Sequence, residues 1–470
     1  MSPLIYYLTA FGAYTVSIIL LTGQSFAWKE TKRSFYLGDA KVGLCPTLAT
    51  FCATWMSPLS LVGFGMWFYR SGYVAFWASV NGWMLGLLFF PFVVKRLRVA
   101  RVASLPEWLE KRYGDVRVRK LVALTMIFLY AVYLVIQFRA FGIIVSYMLE
   151  IPQGFAATSL IYLFVLYTTF GGYLSVVRSD TLNLLLIVIG VSVAAWFSLP
   201  DGFSAAAACG VFCAESAAVS LKDFSFAEMF SASAMMLAWG LGVATNPQYL
   251  IRIIACRSRR EAYQMLALSP YVVGGIYLCL TFFIMVCRLK YPTLGNFEET
   301  LAFAKLGQFL PPAAGMLLLV CVIAAAVSTA NSQLLLAACS LCYDLLPMKK
   351  DESELRPFQE ERFLFSNRIA ITLIASVALM LSHAGLPGYI RLGVISWTLV
   401  AIVYFFPLFT PRLIVKEILF AVLSIAIMLQ LLLVFGFRLE PEYAMLFVLA
   451  GEYLVFAAAK FMRSKGCFAA

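Results

Sequence analysis

Arg139 interrupts one of the most apolar stretches of the chain, residues 121–148, within the tripeptide Gln137-Phe138-Arg139. An arginine at the middle of an apolar span costs about 2.5–3.5 kcal/mol to insert and is rare unless it faces a cavity or a partner. Its planar fork matches a carboxylate. Two readings are open. Arg139 holds the carboxylate of a bound solute, with Ser57, Ser60 and Gln137 as polar neighbours and Trp55 and Trp239 as walls; or it snorkels or pairs inside the protein. Asp180 is the best-placed acid, at the expected start of a later apolar run, where a carboxylate beside Arg178 would be favoured in any case. Two further stretches combine helix breakers with polar groups: Ala53-Thr54-Trp55-Met56-Ser57-Pro58, and Trp239-Gly240-Leu241-Gly242 followed by Asn246-Pro247. Proline removes a backbone donor and clashes with the preceding turn. Both stretches are therefore expected to be bent or unwound.

The elements that position these residues are read from composition. Hydrophobic residues make up 62% of the 470 positions and charged ones 13%, a balance for which lipid and not water is the solvent. A helix crossing roughly 30 Å of hydrocarbon needs on the order of 20 apolar residues. Taking Gly, Pro and charge clusters as punctuation, thirteen such helices are expected, near 2–24, 43–69, 74–94, 119–148, 154–172, 181–199, 226–253, 262–287, 309–344, 366–385, 389–410, 414–436 and 441–462. Of the 36 Lys and Arg residues, 28 fall in the segments after the odd-numbered helices. The positive-inside rule then puts the N-terminus outside and the C-terminus in the cytoplasm. The first run lacks a basic leader and a small-residue cleavage site, so it reads as a retained helix.

Several function classes drop out. The net charge of +12 is dispersed in short loops between apolar runs, which gives a nucleic acid no continuous surface. One histidine, His383, cannot supply bis-histidine haem ligation. The eleven cysteines lie mostly inside apolar segments and behave as small hydrophobes; Cys209 and Cys213 share a loop and could oxidise together. No cofactor is expected.

A break at membrane depth frees carbonyls that are tolerated only where they are buried in protein or line a cavity, and a cation is one partner that satisfies them. The two broken helices open two successive sets of five, residues 43–199 and 226–410, the arrangement of an inverted repeat. Residues 1–42 precede the repeats and residues 411–470 follow them within a single transmembrane domain.

The segment Gly171-Gly172-Tyr173-Leu174-Ser175-Val176-Val177-Arg178-Ser179-Asp180-Thr181-Leu182-Asn183 resembles the signature of the sodium:solute symporter family, with Asn183 in the place of a glutamine. Ser104-Leu105-Pro106-Glu107-Trp108-Leu109 with Arg112-Tyr113-Gly114, Pro247-Gln248 with Arg252, and Ala325-Ala326-Val327-Ser328-Thr329-Ala330-Asn331-Ser332 are similar to the same family, in its order. The resemblance implies an all-α membrane protein with the LeuT-type fold of two inverted five-helix repeats, one helix before and two after. It implies symport of a small organic solute, a carboxylate or zwitterion if Arg139 binds it, coupled to sodium in a bacterial cytoplasmic membrane. The implied cation ligands are the backbone oxygens of Ala53, Met56 and Ala325 and the hydroxyls of Ser328 and Thr329. Asp180 with Ser332 would form a second cation position or assist release. Trp55 and Asn331 stand where some or many members carry an acid, which leaves a proton open as coupling ion. A ligand sensor working through a separate partner is the alternative from another class, and a membrane enzyme is disfavoured because no acidic or histidine cluster gathers at one face.

Overall fold

The computed structural model describes residues 3–23, 31–199, 225–295, 297–346 and 357–465. Cys209 and Cys213 lie outside them. Among the described residues the chain is helical throughout, and the only pairing of extended backbone is an isolated bridge between Val42 and Cys256. Ten helices are long and apolar enough to cross a membrane, and two bent pairs, Leu44–Trp55 with Leu59–Ser71 and Tyr73–Leu87 with Phe90–Val99, qualify when each is taken as one span. Their bends are 56° and 42°.

Two helices form the centre. Pro312–Leu345 and Tyr389–Phe409 are almost wholly buried by protein, whereas Leu4–Gly23, Lys416–Gly436 and Pro441–Ser464 bury a third or less of their apolar surface. The first helix and the last two are thus additions around a core, and their exposed Leu, Ile, Phe and Met side chains face the bilayer.

The spans expected at 154–172 and 181–199 are one helical run, Gln153–Phe197, folded at Gly172. Gly172 has φ 53°, a left-handed conformation that favours glycine, and a Cβ there would lie 2.8 Å from the Phe35 carbonyl oxygen. The second half therefore begins at Tyr173, eight residues earlier than expected.

The Trp239–Gly242 stretch is not unwound; Phe226–Thr245 is continuous α-helix through it. Its glycines serve close approach. A Cβ on Gly242 would meet the Trp397 Cβ at 2.7 Å, and Gly240 and Gly86 bring two backbones together, the packing that small residues permit between membrane helices. The break comes at Asn246, whose extended backbone (ψ 120°) precedes Pro247. Its side chain caps the next segment, Pro247–Ala255, by accepting from the Gln248 N–H.

Candidate cation site

The first broken helix stops at Met56, whose backbone (φ −80°, ψ 81°) leaves the helical region. Backbone bookkeeping around it is specific. The Ser57 N–H, which would donate to the Ala53 carbonyl in a continued helix, donates to Trp55 instead at 3.0 Å. Pro58 has no N–H for the Thr54 carbonyl. The Ser60 N–H turns to the Ser57 carbonyl, leaving that of Met56 outside the following turn. Three successive acceptors lose their helical partners where the backbone is fully buried.

The helix Pro312–Cys339 lies against this gap and supplies hydroxyls. Ser328 Oγ is 3.0 Å from the Ala53 carbonyl oxygen and 3.1 Å from that of Ala325, and Thr329 Oγ1 is 3.4 Å from that of Thr54. Freed carbonyls and facing hydroxyls, all buried, form a set of hard oxygens that suits a small dehydrated cation.

One turn along the same two helices sits a second polar group. Thr50 and Thr54, four residues apart and so on one helix face, meet Asp180 and Ser332, all fully buried. Asp180 Oδ2 accepts from Thr50 Oγ1 at 2.5 Å, and Thr54 Oγ1 is 3.2 Å from Ser332 Oγ. Arg252, carried by the segment after the second break, enters from the other side. Asp180 is therefore not a solvated charge at a helix start. It lies in the third turn of its helix, Arg178 points outward, and its ion-pair partner is Arg252 at 3.6 Å.

The residues expected to hold a solute divide. Trp55, Ser57, Ser60, Gln137 and Trp239 are all buried. Ser60 Oγ donates to the Trp55 carbonyl at 2.8 Å, Ser57 Oγ lies 3.4 Å from the Tyr133 hydroxyl, and Gln137 Nε2 reaches the Tyr133 carbonyl. Trp55 packs on Tyr249 (ring centroids 4.8 Å apart) and Trp239 meets Trp397 edge-on (4.9 Å). Gln137 Oε1 and the indole N–H of Trp239 have no hydrogen-bond partner among the described residues, which a polar solute could supply.

Arg139 does not join this group. Two residues beyond Gln137 on a continuous helix, it points about 200° away, and its Nη1 donates to the Leu386 and Pro387 carbonyls at 3.2 and 3.0 Å. Its guanidinium lies 5.7 Å from the Tyr389 ring. Nearby, Glu299 accepts from the Tyr389 N–H, and burial pushes its carboxyl above the usual range. Of the two readings of Arg139, internal pairing is the one its contacts support.

The sequence model of the sodium:solute symporter family matches residues 35–435. The chain belongs to that family. Among similar proteins are sodium/proline symporters of Haemophilus influenzae, 27% identical with 83% of this chain and 80% of that protein covered, and of Staphylococcus aureus, 25% identical with 78% and 74% covered. Among solved structures, a substrate-bound, outward-open Na+-coupled sialic acid symporter superposes with a TM-score of 0.76 at 17% identity, covering 97% of this chain and 95% of that one. A nucleobase-cation-symport-1 transporter gives 0.56 at 14%, covering 92% and 95%. The expected all-α, LeuT-type class is the fold this symporter has.

Within the symporter, sequence reasoning missed Thr50 and Thr54 and the roles of Tyr133, Tyr249 and Trp397. The two threonines could have been found, since they share a face with Ala53's turn and precede the break. Arg252 was visible as part of a motif, but its partners come from three other segments and no spacing connects them.

Proposed function

We propose that this protein couples the downhill entry of one sodium ion to the uptake of a small organic solute by alternating access. The carrying observation is the match between the gap after Trp55 and the hydroxyls of Ser328 and Thr329. The Ala53 and Met56 carbonyls, the Ala325 carbonyl and those two hydroxyls bind the ion. Bound there, sodium ties the first broken helix to Pro312–Cys339 and favours one arrangement of the two five-helix sets, residues 43–199 and 226–410, over the other. No covalent chemistry is required.

The solute occupies the adjoining group of Trp55, Ser57, Ser60, Gln137 and Trp239, with Tyr133, Tyr249 and Trp397 completing an aromatic wall. Such a wall suits a compact apolar body carrying few polar groups. The relatives named sodium/proline symporter make proline the first solute to test. The basic loops lie in the cytoplasm of a bacterial inner membrane and the N-terminus outside, following the charge asymmetry.

The test is thermal unfolding of the purified protein in sodium chloride against potassium and choline chloride, followed by a solute screen in sodium, because a ligand stabilises only the fold that binds it. Sodium raises the melting temperature and potassium does not. A paired Ser328→Ala, Thr329→Val variant loses the sodium response while remaining folded. Equal stabilisation by all three salts overturns the proposal.

A further inference from the structure

The second polar group, one turn from the cation site, already contains a cation. Four buried oxygens converge there from three helices: Thr50 Oγ1 and Thr54 Oγ1 of Leu44–Trp55, Asp180 Oδ2 of the run after Gly172, and Ser332 Oγ of Pro312–Cys339. A carboxylate with three hydroxyls at this spacing is a donor set for a monovalent ion. A single nitrogen stands at its centre. Arg252 Nη2 is 2.6 Å from Thr54 Oγ1, 3.2 Å from Thr50 Oγ1 and 3.6 Å from Asp180 Oδ2, and it also donates to Ser332 Oγ.

The rest of the side chain fixes that placement. Arg252 Nη1 donates to the Gln248 carbonyl at 2.5 Å, one turn back on its own helix, and the residue is buried like its partners. The pair is also incomplete as a salt bridge. Arg252 Nε and Asp180 Oδ1 have no hydrogen-bond partner among the described residues, so the guanidinium is not forked onto the carboxylate in the bidentate manner such pairs adopt. It presents one N–H to an oxygen cage, as a point cation would sit.

We propose that Arg252 is the built-in occupant of a second cation position: its guanidinium neutralises Asp180 and excludes a second sodium, so that this symporter binds one ion per chain. The inference rests on the proposed sodium site at Ser328 and Thr329 and adds a determinant of stoichiometry to it. Two charges cannot share the cage, since a sodium within reach of these oxygens would lie against Nη2 and be repelled at short range in a buried setting. Removing the guanidinium leaves a buried, uncompensated carboxylate among hydroxyls, a state that is strongly unfavourable unless another cation enters. The free ion then takes the place of the tethered one.

The experiment is equilibrium binding of radioactive 22Na+ to the purified full-length protein, with sodium-dependent thermal stabilisation as a second readout of the number of ions bound. Wild type should bind one ion without cooperativity. Asp180→Asn should still bind one, because the position it faces holds no sodium. Arg252→Gln should bind two, and the double variant Arg252→Gln, Asp180→Asn should return to one. Arg252→Lys, which keeps the charge, should stay at one. Two ions on wild type, with one lost in Asp180→Asn, would leave sodium symport standing and overturn only the role of Arg252; that measurement needs no arginine variant to fold. One ion on a folded Arg252→Gln protein would overturn it as well. Absence of sodium binding by wild type overturns the sodium site, and this inference with it.

Discussion

Single side chains here act by completing or vacating backbone accounts. Ser328 is the clearest case, because its hydroxyl meets the Ala53 carbonyl that the turn at Met56 has released. Ser328→Ala removes one oxygen of the proposed ion shell and also leaves that carbonyl unpaired in the absence of sodium. The expected result is a drop in apparent sodium affinity of at least about tenfold, the equivalent of roughly 1.4 kcal/mol, measured as the concentration giving half-maximal thermal stabilisation. Arg139 gives the opposite expectation. Its donors serve the Leu386 and Pro387 carbonyls just before the Tyr389–Phe409 helix. Arg139→Ala should therefore cost stability of about 1–3 kcal/mol, the usual range for stranding buried acceptors, while leaving the apparent affinity for transported solute unchanged. A rise in KM without loss of melting temperature would return Arg139 to the solute site. The sequence alone kept both readings open because it gives the depth of the residue but not its azimuth relative to Gln137.

At the scale of elements, proline was a dependable sign and glycine was not. Pro58 and Pro247 each mark a true break, since a missing N–H and a ring clash act in any surroundings. Gly240 and Gly242 fitted two opposite structures, a loosened helix or a tightly packed one, and only the neighbours decide. Here they are Trp397 and the Gly82–Leu87 helix. The helix after Gly172 was read too short for a related reason. Arg178, Ser179 and Asp180 look like a polar boundary, yet Ser179 and Asp180 turn inward to partners and only Arg178 is exposed. Polarity marked a site and not an end. Close packing carries its own prediction. A Cβ on Gly86 would come within 2.5 Å of the Val243 Cβ and 2.7 Å of the Gly240 carbonyl oxygen, whereas one on Gly12 meets nothing within 4 Å. Gly86→Ala should destabilise by about 1–3 kcal/mol, the typical cost of overpacking. Gly12→Ala should leave the melting temperature unchanged or slightly raised, since alanine favours helix. Equal effects of the two would mean that the approach of these helices is not what holds the bundle.

For the whole molecule, alternating access demands that the path from the ion site to the basic face be closed in one state and open in another, and the closure is visible. A small cavity beside Arg252 and Ser332 is lined further out by Tyr36, Ala103 and Cys339. Its water-sized space is about 10 Å³, room for a single water. The short helix Lys32–Leu37 seals it: Phe35, Tyr36 and Leu37 are buried, and the Tyr36 hydroxyl donates to Asn367 while its ring packs edge-on against Phe363. Sodium at Ser328 and Thr329 would clamp Leu44–Trp55 onto Pro312–Cys339, and the same two helices carry Thr50, Thr54 and Ser332 above this cavity. The ion should therefore hold the basic side shut. Cys339 is a native reporter, buried in this arrangement at the cavity wall. Its alkylation by a small maleimide, followed on its peptide by mass spectrometry, should be slow in sodium and faster in potassium, because only the open population reacts. Tyr36→Ala removes the hydroxyl and the ring that seal the exit, and should speed labelling in both salts. Cys339 reactivity that ignores both the salt and Tyr36 would show that the path to the basic face runs elsewhere, and that closure at Lys32–Leu37 belongs to the static scaffold.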